Sequence, residues 1–128
     1  MAIQIPVFNL GFMEAAADLS TKQFYCVKAT ADKTINIATV KGATTLGVLQ
    51  NKPSVAGDVA DIMCLGVTKL MVGVGDLAAG AVWESAADGT GITAEVAKAG
   101  MGTVLIGAVA GKLATVTVGF ATGTALAA

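Results

Sequence analysis

Apolar and polar residues alternate with a period of two from the start of the chain. Ile3, Ile5 and Val7 fall at every second position of the stretch IQIPVF, and such alternation is typical of a strand with one apolar face. Pro6 has no N–H to donate to a neighbouring strand. This first strand is therefore predicted to lie at the edge of a sheet or to extend as a free arm.

The same strand pattern returns at intervals of roughly 8–12 residues, with turn signals between the runs. Asp88 and Gly89 form a dipeptide that suits a tight turn, and Gly47 indicates a bulge or a close approach of two backbones. Gly66 leaves open whether the longest run forms one strand or two. The predicted strands comprise residues 3–8, 23–29, 34–40 (as a hairpin with the preceding run), 44–50, 59–65, 67–73, a short run through Trp83, 102–110 and 112–120.

Little in the pattern predicts helices. Residues 13–20 could form one short helical turn or a loop, and residues 92–100 could hold a short helix that stops at Gly100. The predicted fold class is therefore all-β: a small β-barrel or sandwich of about eight short strands, with an extended N-terminal arm and at most one or two short helices. We divide the chain into an N-terminal arm (residues 1–20), a β domain (21–120) and a C-terminal tail (121–128).

The composition is unusually apolar for a single domain. Hydrophobic residues make up 55% of the 128 residues and charged residues 13%, and the mean hydropathy is +0.75. A membrane span needs about 20 continuous apolar residues, but Lys112 interrupts the strongest candidate, residues 101–128. The first nine residues do not resemble a signal peptide. Neither a membrane span nor a signal peptide therefore explains the apolar composition well. We favour a third explanation, that the chain is a subunit whose apolar surface is covered by its neighbours in an assembly.

The charged residues argue against nucleic-acid binding and against catalysis. The net charge is −1, all eight basic residues are scattered lysines, and the chain has neither His nor Arg. It therefore lacks the commonest general base and metal ligand, as well as the bidentate clamp for phosphate. Asp58 and Asp61 do not form a calcium-loop pattern. We expect no enzyme activity, no cofactor and no bound metal.

Two other candidate features are better explained by structure than by chemistry. Residues 73–78, GVGDLA, match a dinucleotide-binding fingerprint, but that motif needs a helix that begins at the glycines, and Gly80 and a strand follow instead. Cys26 and Cys64 lie in separate apolar strands without a metal-binding spacing. A disulfide between them is left open.

Four segments carry a resemblance to a known family. They are DLSTKQFYCVKA (residues 18–29), LGVLQNKPSVAGDVADIMCLGVTKLMVG (46–73), LAAGAVWESAADGTG (77–91) and VLIGAVAGKLATVTV (104–118). In this order they resemble the capsid cement, or head decoration, proteins of tailed bacteriophages. The most specific part is GVLQNKP followed by LGVTK.

The resemblance implies a structural role without catalytic residues. Such proteins are small β domains that bind the outer surface of the mature capsid and bridge major capsid protein subunits. It implies a virion protein, assembled in the cytoplasm of a bacterial host, that self-associates as a homotrimer or alternatively a dimer. It also implies a capsid-binding arm that pairs with an exposed strand edge. The arm residues are Ile3, Ile5, Pro6, Val7, Phe8 and Phe12.

Two other functions remain open from the sequence. One is another phage structural component, such as a tail subunit or a fibre-base subunit. The other is a non-viral β-sandwich binding module, for example one that recognises carbohydrate. The second predicts a signal peptide and exposed aromatic residues, whereas aromatic residues make up 5% of this chain.

Overall fold

The computed structural model describes residues 3–41, 45–94 and 100–119, and this part of the chain forms nine strands and no helix. The all-β expectation is therefore confirmed. The strands are β1 (Ile5–Ala15), β2 (Cys26–Ala31), β3 (Thr34–Ile37), β4 (Gly47–Leu49), β5 (Val59–Met71), β6 (Val82–Ser85), β7 (Gly91–Thr93), β8 (Gly102–Ile106) and β9 (Leu113–Val118).

The longest strand, β5, organises the sheet. It is one continuous strand of 13 residues, although Gly66 at its centre has a φ of +144°. Its first half pairs with β1 on one edge and with β4 on the other, and its second half pairs with β9. All of these pairings are antiparallel, so β5 is the strand through which the two halves of the domain are joined.

The strand order is β1-β3-β2-β4-β5-β9-β8-β6-β7, with an additional pairing between β1 and β5. The first five strands in this order thus form a closed ring, because β5 also pairs with β1. The ring is weak at the parallel contact of β1 with β3, which spans only the pairs Glu14–Thr34 and Ala15–Ile35. Because the sheet continues beyond β5, the fold is not a clean barrel. It is best described as sandwich-like.

Two hydrophobic clusters lie on opposite faces of the central strands. Cys26 and Val48 belong to the larger cluster, whereas the next residues, Val27 and Leu49, belong to the smaller one. Strand β4 and the first two residues of β2 therefore bury both faces. Trp83 is fully buried in the larger cluster, and its Nε1–H donates to the carbonyl oxygen of Thr117 at 3.0 Å.

Three boundaries differ from the sequence prediction. Strand β1 continues to Ala15, so the possible helical turn at residues 13–20 is a strand end followed by bends and a turn. Strand β2 begins at Cys26 instead of residue 23, because Phe24 has a φ of 69° and interrupts the extended chain. The helix considered at residues 92–100 is wrong at its start, since Ile92 and Thr93 lie in β7.

The cause of that last difference is the turn at Gly89, whose φ is +82°. It folds the chain back so that β7 pairs with β6. Residues 95–99 and the predicted C-terminal tail (121–128) lie outside the described residues.

Glu84 is the least expected side chain of the core. It lies on β6, is only 2% exposed, and neither carboxylate oxygen has a hydrogen-bond partner in the described part of the chain. A buried carboxylate without a partner opposes folding, because it loses its hydration without compensation.

We expect the substitution Glu84→Met to raise the free energy of unfolding by about 1–3 kcal/mol, since it replaces a buried carboxyl group that has no hydrogen-bond partner among the described residues by an apolar side chain of similar length. Chemical denaturation measures this change. Glu14→Met is the matched control: it removes an exposed ion pair with Lys33 (3.4 Å) and should lower stability by less than about 1 kcal/mol. A clear loss of stability in Glu84→Met would contradict the prediction.

The two cysteines are both free thiols, which resolves the question of a disulfide. Cys26 is completely buried, and this burial raises the pKa of its thiol to about 12, although a hydrogen bond with Ser85 acts in the opposite direction. Desolvation also raises the pKa of Cys64. Both thiols are therefore poor nucleophiles, because only the thiolate reacts.

We expect Cys26 of a Cys64→Ala variant to resist iodoacetamide in the folded protein at a pH of about 8.5, where an ordinary thiol is half ionised. The same variant should be fully modified once it is denatured, and mass spectrometry distinguishes the two states. Rapid alkylation of the folded variant would show that Cys26 is accessible as a thiolate.

Candidate functional site

The structure places no chemical centre in the part of the chain it describes. There, no group of three or more Cys, Asp or Glu side chains could hold a metal ion. Asp58 and Asp61 have separate roles: Asp58 Oδ2 accepts the backbone N–H groups of Ser54 and Val55 and closes a loop, whereas Asp61 lies on β5. Within the described ranges, no helix is long and apolar enough to cross a membrane.

The conspicuous surface feature is an arm segment, which we define as residues 3–12. Ile5, Val7, Phe8 and Phe12 are each more than half exposed, and Ile3 is 41% exposed. No charged residue occurs between Ile3 and Met13. All six arm residues singled out from the sequence, including Pro6, are therefore brought together on one exposed, uncharged segment.

The arm segment is attached to the domain mainly through its backbone. It forms the first part of β1, and Ile5 and Pro6 lie opposite Val67 and Gly66 of β5. The N–H of Ile3 donates to Thr115 Oγ1 at 3.0 Å. These contacts fix the path of the segment while they leave its large side chains in solvent.

An amide side chain adds a polar anchor for the arm segment. Gln4 Nε2 donates to Gln50 Oε1 at 2.5 Å, and Gln50 Nε2 donates to the Val48 carbonyl and to Thr68 Oγ1. Gln50 thereby links the arm segment to β4 and β5. Its position in the motif GVLQNKP was recognised from the sequence, but this role was not.

Gly66 provides the space in which the backbone of the arm segment lies close beside β5. A Cβ atom on Gly66 would lie 2.7 Å from the carbonyl oxygen of Ile5 and 2.9 Å from the backbone nitrogen of Val7. Any other residue would therefore push the arm segment away. The positive φ of Gly66 adds backbone strain to every substitution.

A bulge separates the arm segment from the anchored end of β1. Leu10 lies opposite Ile62 and Met13 opposite Ala60, so two residues of β1 face one residue of β5. Beyond this bulge, Met13 and Ala15 are buried in the smaller core cluster. The structure thus divides β1 into an exposed half and an anchored half.

The outer edge of the arm segment has no strand beside it among the described residues. Strand β3 pairs with β1 only at Glu14 and Ala15, so residues 5–12 pair with β5 alone. Pro6 and three register irregularities interrupt this edge, and such features protect an edge from unspecific pairing.

Comparisons with known proteins identify the fold. No protein-family model matches the chain, and no curated protein matches it. The structure is similar to that of the head fiber gp8.5 N base in bacteriophage phi29, with a TM-score of 0.69 and 18% sequence identity, over 94% of this chain and 100% of that chain. At this identity the similarity establishes a shared fold.

We expect Gly66→Ala to release the arm segment, because the added Cβ clashes with its backbone and the strained φ costs about 1–3 kcal/mol. Hydrogen exchange of the amides in residues 4–10 should then be faster by about tenfold or more, whereas the amides of β8 and β9 remain protected. Gly11→Ala is the control, since no atom lies within 4 Å of its Cβ. Unchanged protection of the arm in Gly66→Ala would refute the role of Gly66.

Proposed function

We propose that this protein is a structural subunit of a tailed-bacteriophage particle that forms a base on the outer surface of the head. The observation that carries the proposal is the similarity to a head fiber N base over nearly the whole of both chains. Coverage of this extent relates the complete domain to that base. The proposed location is the virion surface, reached after assembly in the bacterial cytoplasm.

The arm segment supplies a surface for attachment to the head. Its large apolar side chains are exposed, and burying each of them is worth about 1.5–3 kcal/mol. Because the segment carries no charge, its partner surface is expected to be apolar, with free backbone groups along a strand edge. The major capsid protein is the proposed partner, and the role requires neither enzyme activity nor nucleic-acid binding.

A cement protein is the second candidate function. The ordered motifs of residues 18–118 resemble capsid cement proteins, and a cement subunit would use the same arm segment. The two functions differ in their effect on the shell. Cement stabilises the expanded shell because it binds the shell and not the dissociated subunits, whereas a fibre base needs only to anchor a projection.

We expect the double variant Val7→Ser/Phe8→Ser to bind undecorated phage heads at least about tenfold more weakly than the wild type, because two anchors are lost. Co-sedimentation with heads measures the affinity. The matched control is Val40→Ser/Val55→Ser, whose valines are 57% and 58% exposed but lie outside the arm segment. Equal binding by the two double variants would reject the arm as the attachment surface.

Cryo-electron microscopy of the wild-type complex distinguishes the alternatives. Added density on the outside of the head supports the proposal, and its absence rejects both functions. Heads that gain no resistance to heat favour the fibre base, whereas heads that withstand several degrees more favour cement.

A further inference from the structure

A cavity of about 230 Å³ lies beside the arm segment. Backbone pairing assembles it, because Asn9 lies opposite Met63 and the N–H of Gln50 donates to the Asp61 carbonyl oxygen at 2.7 Å. A site for one water molecule needs only about 10–15 Å³, so this cavity has room for a larger group. Its lining comes from β1, from β5 and from the residue that follows β4: Gln4, Pro6, Asn9, Gln50, Asp61 and Met63.

The cavity opens to solvent at the arm segment and reaches inward to the core. Gln4 and Pro6 at its mouth are exposed, Asn9 and Asp61 are half-buried, and Met63 is 1% exposed. The lining therefore combines polar groups with the apolar surfaces of Pro6 and Met63. Such a lining suits a ligand with a polar head and an aliphatic stem.

One buried acceptor of the cavity lacks a donor. Asn9 Oδ1 is buried and has no hydrogen-bond partner among the described residues, whereas buried polar atoms in native proteins are usually paired. Gln50 cannot supply the donor, because its Nε2 already donates to the Val48 carbonyl oxygen and to Thr68 Oγ1. An amide nitrogen carries two hydrogens, and both are committed. A ligand that carries N–H groups would satisfy Asn9.

The cavity also carries an unpaired negative charge. Asp61 is the one charged residue among the described residues that line it. It forms no ion pair within the described ranges, where the pair found is Lys33–Glu14. Ammonium and guanidinium groups carry a positive charge together with several donors and no acceptor. They therefore match both the charge of Asp61 and the unpaired oxygen of Asn9.

We propose that the cavity binds the ammonium or guanidinium group of a basic side chain on the surface of the phage head. Asp61 pairs with the charge, Asn9 Oδ1 accepts an N–H, and Pro6 and Met63 contact the aliphatic stem. The source of the basic side chain rests on the proposed function, whereas the cation site itself does not. A partner strand beside the free outer edge of the arm segment presents alternate side chains to the two faces of the sheet. One basic residue then enters the cavity while its neighbours cover apolar arm residues.

The first test titrates the isolated protein with methylguanidinium and with methylammonium at constant ionic strength, and the neutral methylurea is the control ligand. NMR follows the side-chain amides of Gln4, Asn9 and Gln50. We expect saturable shifts and at least about tenfold tighter binding of one or both cations than of methylurea. The preferred cation distinguishes an arginine from a lysine partner. Shifts that do not saturate, or equal binding of methylurea, would show that the cavity holds only water and would overturn the proposal.

Two variants locate the bound cation. Asp61→Asn removes the charge at constant size, and Asn9→Leu removes the unpaired acceptor. We expect Asp61→Asn to weaken cation binding by at least about tenfold and Asn9→Leu to weaken it as well. Asp32→Asn is the matched control, because it changes the net charge equally at an exposed position in the β2–β3 turn. Cation binding by Asp61→Asn that equals that of Asp32→Asn would overturn the site.

Co-sedimentation with undecorated phage heads tests the source of the basic side chain. We expect Asp61→Asn to bind heads at least about tenfold more weakly than Asp32→Asn at low salt, with a smaller difference at high salt, because salt screens the charge pair. Equal binding by these two variants overturns the inference, even where Val7→Ser/Phe8→Ser shows that the arm segment attaches to the head. A wild type that does not bind heads rejects the proposed function instead, and the titration alone then decides whether the cavity binds a basic group.

Discussion

The pairing of three strands with the backbone of β5 is the constraint on which the rest of the structure depends. Near its centre, β5 meets β1 on one edge and β4 and then β9 on the other. The neighbouring backbones come so close that Gly66 has no room for a side chain, and a Cβ on Gly47 would collide with the carbonyl oxygen of Met63. Strand pairing, rather than side-chain volume, therefore determines how the two core clusters are joined.

The same constraint explains the character of the arm segment. Its backbone is held by β5 and its amide by Gln50, so its path is defined without burial of Val7 or Phe8. In most strands the side chains contribute the larger share of stabilisation through the hydrophobic effect. In the proposed attachment to the head, that contribution would come from the partner surface, and the order of the segment would lower the entropic cost of binding.

The arm segment and the two adjoining loops at residues 73–77 and 107–112 show the same physical arrangement at two places. In each, backbone hydrogen bonds and a close approach at glycine hold a short segment in position while apolar side chains remain in solvent. This arrangement leaves in solvent a part of the apolar side chains that give the chain its high mean hydropathy.

The sequence by itself determined the fold class, the β2–β3 hairpin, the turn at Gly89 and the apolar, uncharged arm, because alternation and turn chemistry are local properties of the chain. It also indicated a close backbone approach at Gly47. The sequence did not reveal the extension of β1 to Ala15, the strained φ of Phe24, the burial of Glu84 or the exposure of Val74. Only the tertiary structure decided these features, because each depends on a neighbour that is distant in the chain: β5 beside β1, the core around β6, and the loop at Ala108 against Leu77.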